Sequence, residues 1–239
     1  MADMGKVLVV IPARGGSKRL PRKNVLLLAG KPLICWTIEA ALDAELDARI
    51  IVTSDDEEIL SIAQKYGSKG VIAHKRPDEL ATDGASTTDA LIDAVNAERK
   101  AGYDPKTIVL LQPTSPLRNT DDIRAALQIY RERGCEDTVV SVCKVDHPSA
   151  WIGTIGEGSR FEGFDLSGKR SQECQKEYRL NGAVYVASTN FLVKEGRLFS
   201  EELLASVMPR ERSFDIDEEV DFINCESFVN FVYRKQYDH

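Results

Sequence analysis

Histidine is scarce in this chain. Only His74, His147 and His239 occur in 239 residues, so a histidine-based zinc site is not expected. The five cysteines, Cys35, Cys135, Cys143, Cys174 and Cys225, have no C-x-x-C spacing and are odd in number. Free thiols in a reducing cytoplasm are the expectation, rather than a disulfide framework. No apolar run reaches the length of a membrane span, and the opening MADMGK lacks the apolar stretch of a secretory leader. The two common nucleotide motifs, G-x-x-x-x-G-K-[ST] and G-x-G-x-x-G opening a helix, are missing. That argues against a P-loop NTPase or a dinucleotide dehydrogenase. Net positive charge is lacking too: the balance is -7, so neither nucleic acid nor a membrane is an expected partner. There is no internal repeat and no low-complexity segment. What remains is an ordinary globular composition, 43% hydrophobic and 29% charged, long enough for one large domain or one with a small appendage.

Strand-like and helix-like segments alternate through the first 145 residues. Val7 to Ile11 is a continuous apolar run rich in β-branched residues, the signature of a strand covered on both faces. Pro32 to Ala44, Asp56 to Gly67, Ser86 to Gly102 and a segment capped by Thr120 read as helices. Arg49 to Ser54, Val71 to Ala73, Thr107 to Leu111 and Thr138 to Val145 read as strands. Alternation of this kind predicts parallel βαβ units, in which ligands bind beyond the carboxyl ends of the strands. From His147 to Glu177 the rhythm breaks into a Gly- and Ser-containing stretch. Tyr178 to Ser188 restores a strand, with Asn181-Gly182 as a turn signal. A short helix around Asn190 to Glu195 follows, then a closing amphipathic helix with Phe222, Ile223, Phe228 and Val232 on its buried face.

The stretch with most chemistry is Lys6 to Asn24, KVLVVIPARGGSKRLPRKN. Pro12 ends the strand's hydrogen-bonded ladder. Gly15 and Gly16 leave backbone N–H groups approachable. Arg14, Lys18, Arg19, Arg22 and Lys23 place five positive charges within ten residues of an acidic chain. At the carboxyl end of a strand, such a loop suits a polyphosphate; a solvated basic surface or a targeting signal is the alternative.

ARGGSKRLPRKN resembles the nucleotide-binding signature of the cytidylyltransferases that activate nine-carbon sugar acids, the CMP-sialic acid synthetases and their legionaminic and pseudaminic acid relatives. Further motifs in the same order strengthen the resemblance: RPDEL at Arg76, LLQPTSPLR ending at Arg118, YRLNGAVY at Tyr178, and Asp215-Ile216-Asp217. LLQPTSPLR matches without a departure; in YRLNGAVY, Leu180 stands where many members carry Pro.

The resemblance implies one α/β domain over 1–239, a Rossmann-like nucleotidyltransferase fold. Its mostly parallel sheet would carry helices on both faces, with 147–177 as a small projecting dimerisation segment. It implies CTP as nucleotide, with Arg14, Gly15, Gly16, Ser17, Lys18, Lys23, Asn24, Arg76 and Ser86 as its ligands. Asn24 serves equally to fix the loop, and Ser86 equally as a helix N-cap. It implies Gln112, Thr114, Ser115, Arg179, Asn181 and Tyr185 as ligands of the sugar acid, Arg179 pairing with its carboxylate. Asp215 and Asp217, two residues apart on an extended segment, would share a side and hold Mg²⁺; N-capping by Asp217 is the other reading. The catalytic set is then Lys18, Arg14, Asp215 and Asp217, and the assembly a homodimer. Sialic acid is the expected acceptor. Legionaminic or pseudaminic acid, the eight-carbon 3-deoxy-manno-octulosonate, and a non-catalytic nucleotide-binding protein on the same fold are the alternatives.

Overall fold

The computed structural model of the chain describes residues 2–80, 86–163 and 175–237. In chain order its strands are β1 (Val7–Pro12), β2 (Leu27–Leu28), β3 (Lys31–Pro32), β4 (Ala48–Ser54), β5 (Val71–Lys75), β6 (Thr107–Leu110), β7 (Thr138–Lys144), β8 (Thr154–Ile155), β9 (Phe161–Glu162), β10 (Tyr178–Ser188) and β11 (Leu203–Val207). The α-helices are α1 (Leu33–Asp43), α2 (Glu57–Gln64), α3 (Thr87–Lys100), α4 (Thr120–Glu132), α5 (Thr189–Glu195) and α6 (Glu219–Tyr237).

Seven strands form one sheet in the order β11-β7-β10-β6-β1-β4-β5. β1 lies parallel between β4 and β6, and β5 extends that block parallel to β4. β10 inserts between β6 and β7, antiparallel to both. β11 completes the edge, parallel to β7. The mostly parallel α/β sheet anticipated from the alternation is therefore present, with one reversed strand.

Alternation along β1 divides its side chains between two cores. Val7, Val9 and Ile11 join Ile34, Ile38, Ile59, Ile123 and Tyr130 from α1, α2 and α4. Leu8 and Val10 join Leu91, Ala94, Val95 and Leu192 from α3 and α5. Helices thus cover both faces, which is why the strand reads as unbroken apolar sequence. A third cluster lies apart from the sheet: Leu28 and Leu33 meet Ile216, Cys225 and Val229. It fastens α6 to the hairpin β2–β3 and holds the Asp215–Asp217 segment next to the basic loop.

Several elements differ from expectation. Asn119, not Thr120, caps α4: its side chain accepts from the Asp122 N–H (3.2 Å) while Asp122 accepts from the Asn119 N–H (3.0 Å). Asn181-Gly182 makes no chain reversal; it is an irregularity inside β10, where the register with β7 shifts between Leu180 and Tyr185. The inward face of α6 is carried by Phe222, Cys225 and Val229, with Phe228 against Phe214 (5.4 Å between ring centroids). Ile223 and Val232 face solvent instead. Within 147–177, β8 and β9 pair as a separate two-stranded sheet; residues 164–174, with Cys174, lie outside the described residues, as do 81–85 and His239. Cys35, Cys135, Cys143 and Cys225 are free thiols. Among the described residues no helix is long and apolar enough to cross a membrane.

Candidate functional site

β1, β4 and β6 run parallel, so the loops that leave their carboxyl ends share one edge of the sheet. The loop after β1 is fixed by its neighbours. The Gly15 N–H donates to Asp55 Oδ1 (3.1 Å). A Cβ at Gly15 would lie 2.6 Å from Asp56 Oδ2, so the close approach of the α2 terminus requires glycine here. Gly16 has no such neighbour. Asn24 is buried and donates from Nδ2 to the Arg14 carbonyl (3.0 Å), which makes it a loop fastener.

Arg22, Arg19 and Lys23 pair with acidic residues of the chain. Arg22, in the left-handed region at φ 57, bridges Asp56 and Glu58. Arg19 pairs with Asp217 Oδ2 (2.7 Å). Lys23 is buried, and its Nζ donates to the Ile216 carbonyl (2.5 Å) and to Asp217 Oδ1 (3.1 Å). Part of the positive charge gathered in the sequence is thus spent on cross-links in space, and Arg14 and Lys18 stand beside them.

These residues line a cleft of about 490 Å³ together with Ser17, Arg76, Ser86, Thr87, Gln112, Thr114 and Asp217. Arg76 is buried in its wall, where Nη2 donates to the Thr53 carbonyl (3.1 Å). Burial lowers its pKa from the ordinary guanidinium value, opposed by Asp55 and Asp93. Its buried Nε has no hydrogen-bond partner among the described residues, a donor that an anionic ligand would satisfy. Ser86 caps α3 in a reciprocal box with Asp89 and also lines the cleft.

A second cavity, about 670 Å³, is lined by Arg179, Arg210, Asp146, Asp215, Phe214 and Phe228, among others. Asp217 lines the first cavity and Asp215 the second, with buried Ile216 between them. The Ile216 N–H donates to the Thr114 carbonyl (2.7 Å), and Thr114 also hydrogen-bonds the Asp215 carboxylate. Asp215 is reached by solvent yet enclosed by protein on most sides. That enclosure raises its pKa above the usual carboxylate range, and the charge of Asp217 adds to the effect. Asp217 does not cap α6: the Asp217 and Glu218 N–H groups both donate to Asp221 Oδ2 (3.0 and 2.9 Å).

Three expected sugar ligands sit in the wall rather than on it. Ser115 is fully buried and donates to the Asn181 carbonyl (3.0 Å). Asn181 is also fully buried: Oδ1 accepts from Ser141 Oγ (2.6 Å), and Nδ2 donates to Ser213 Oγ (2.9 Å). Their polar atoms are consumed in holding the loop after β6 against β10. Tyr185 packs in the core against Phe199, and burial raises its phenol pKa. Gln112, Thr114 and Arg179 stay accessible to the cavities. A residue the sequence did not single out is Arg118, buried under the same loop. It donates to the Gln112 carbonyl, and burial pushes its pKa down to about 9. Its place in QPTSPLR was visible; its burial was not.

The donor chemistry fits Mg²⁺. Asp215 and Asp217 offer hard carboxylate oxygens on one short segment, which suit that ion, with phosphate oxygens able to supply further positions. Among the described residues no group of three or more acidic, Cys or His side chains forms a metal cage, so a cation held here would take its remaining ligands from water or from the substrate.

A cytidylyltransferase family model matches residues 8–195. An N-acylneuraminate cytidylyltransferase of Escherichia coli O18:K1:H7 is 38% identical over 91% of this chain, which spans 50% of that relative. A CMP-N,N'-diacetyllegionaminic acid synthase of Legionella pneumophila is 34% identical over 94% of this chain and 96% of its own length. The structure of a CMP:2-keto-3-deoxy-manno-octonic acid synthetase complexed with CTP superimposes with a TM-score of 0.72 at 19% identity, covering 95% of this chain and 99% of that one; it shows the same fold. This chain belongs to the cytidylyltransferase family.

Proposed function

We propose that this protein transfers CMP from CTP to the anomeric hydroxyl of a nonulosonic acid of the sialic type, releasing pyrophosphate. The observation that carries the reading is the position of Asp215–Asp217, one segment bordering two cavities. CTP occupies the first, its phosphates against Arg14, Ser17, Lys18 and the spare donor of Arg76. The sugar acid occupies the second, its carboxylate toward Arg179. The anomeric oxygen attacks the α-phosphorus between them, giving its proton to water as the bond to pyrophosphate breaks. Lys18 and Arg14 neutralise the charge that builds on the departing group. Mg²⁺ held by Asp215 and Asp217 supplies screening of the phosphate charge when bound. Gln112 and Thr114, preordered by Pro113 between them and Pro116 beyond, orient the acceptor.

The family membership and the named relatives support the nucleotide and the acceptor class. Relatives named for diacetyllegionaminic and pseudaminic acids, 34% and 31% identical, keep those acids as alternative acceptors. We further propose a homodimer in a reducing cytoplasm. Supporting this are the exposed apolar Ile152, Ile155 and Phe161 around the β8–β9 pair, and the free thiols. Pyrophosphate release measured with CTP, ATP or GTP against sialic, legionaminic, pseudaminic and 3-deoxy-manno-octulosonic acids tests the proposal. CTP with a nine-carbon acid gives the fastest release. Preference for the eight-carbon acid, or binding of CTP with no release for any acid, overturns it. A hundredfold preference for a di-N-acyl sugar moves the acceptor to the legionaminic group.

A further inference from the structure

Asp217 carries a cation on each carboxylate oxygen, and the two are unlike. The Lys23 side chain is 9% exposed and also holds the Ile216 carbonyl at 2.5 Å; its withdrawal would strand a buried carbonyl. The Arg19 side chain is 61% exposed and reaches Oδ2 from the loop just beyond Gly16, around which space is open. An exposed ion pair contributes little and is readily exchanged.

We propose that Arg19 is a stand-in cation, occupying the Asp217 oxygen that a divalent cation takes and yielding it when that cation binds. The inference rests on the assignment of Asp215 and Asp217 as the metal-binding pair. Without such a cation, Arg19 keeps the Oδ2 side of Asp217, which Lys23 does not reach, from facing the anionic nucleotide unpaired. Once released, its guanidinium stays in the cleft it lines, beside Arg14 and Lys18. The phosphate subsite then gains a positive charge that was engaged elsewhere. Divalent cation and nucleotide thereby favour each other's binding through a residue of the chain, besides any direct bond between them, and linkage makes the effect reciprocal.

The probe is Mn²⁺, an ion of similar ligand preference to Mg²⁺, titrated into nucleotide-free protein and followed by the electron paramagnetic resonance of the free ion. Wild type, Arg19→Ala and Asp217→Asn are compared, with thermal melts to verify folding. Losing the competitor strengthens Mn²⁺ binding by Arg19→Ala about two- to fivefold, the scale of one exposed ion pair. Asp217→Asn weakens binding by an order of magnitude or more. The factor by which Mn²⁺ tightens CTP binding is smaller in Arg19→Ala than in wild type. Unchanged or weaker Mn²⁺ binding by Arg19→Ala, with Asp217→Asn impaired, removes the stand-in role and leaves the metal pair standing. Wild-type Mn²⁺ binding by Asp217→Asn removes both.

Discussion

Replacing Lys23 with methionine separates two roles that one lysine in a phosphate-binding motif could have. As a phosphate ligand, Lys23 would matter to nucleotide binding and hardly to folding. Its position argues for the second role, a tie between the basic loop and the segment before α6. Methionine keeps the packing of the stem and removes the ammonium. The Ile216 carbonyl, on a residue 0% exposed, then loses its 2.5 Å donor, at about 1–3 kcal/mol for a buried unsatisfied group. Asp217 is 39% exposed at its side chain and keeps Arg19, so water compensates it and the loss there is small. For a chain of this length each kcal/mol corresponds to about 2–4 °C, so Lys23→Met melts about 2–12 °C below wild type without nucleotide. Calorimetry on the free protein, followed by CTP titration of the folded variant, measures both effects. A variant that melts with wild type while losing CTP affinity would refute the tie and make Lys23 a phosphate ligand.

Lys18→Ala lowers kcat by roughly two to three orders of magnitude, the cost of one preorganised charge-stabilising group, with the melting temperature nearly unchanged; an unfolded or fully active variant removes Lys18 from the mechanism. Asp56 accepts from the Glu58 and Ile59 N–H groups and caps α2. Burial raises its pKa, but Arg22 and those N–H groups outweigh burial and hold it below the ordinary 3.8. A depressed folded value means its contribution is complete above pH 3.8 and is lost as the pH falls through the folded value. Asp56→Ala is therefore less stable by about 1 kcal/mol at pH 7, and the gap closes in urea melts below pH 3.8; a gap that ignores pH assigns the loss to packing.

Local pattern made the parallel block legible. Val7 to Ile11 and Thr107 to Leu111 announce buried strands because both faces are covered, and the caps Asp56 and Ser86 stand where polar side chains meet helical periodicity. β11 was not legible: LLASV is a short edge strand with small residues in a polar neighbourhood, and only pairing with β7 makes it a strand. The face of α6 was misread because apolar residues ring that helix, and the third cluster alone decides which are inside. The motifs located the cleft, but not the division of labour within it. Ser115 and Asn181 look like ligands in sequence because amides and hydroxyls in loops often are. Their burial depends on β10 packing beside them from 66 residues away. The pairings of Arg19 with Asp217, 198 residues apart, and of Arg22 with Asp56 carry no local signal at all.

The reversed strand β10 imposes an order on assembly. β6 and β7 are consecutive in sequence among the sheet strands, yet they are not neighbours, and each offers an open edge until β10 arrives to bond both. The block of β1, β4, β5 and β6 can form while the chain is still being made. The remainder of the sheet has to wait from Lys144 to Ser188, about two to nine seconds of synthesis at ordinary elongation rates. During that interval two unpaired strand edges are presented together, which is when a newly made chain is most exposed to edge-to-edge association. Destabilising β10 would therefore reduce the yield of native protein more than its melting temperature alone suggests.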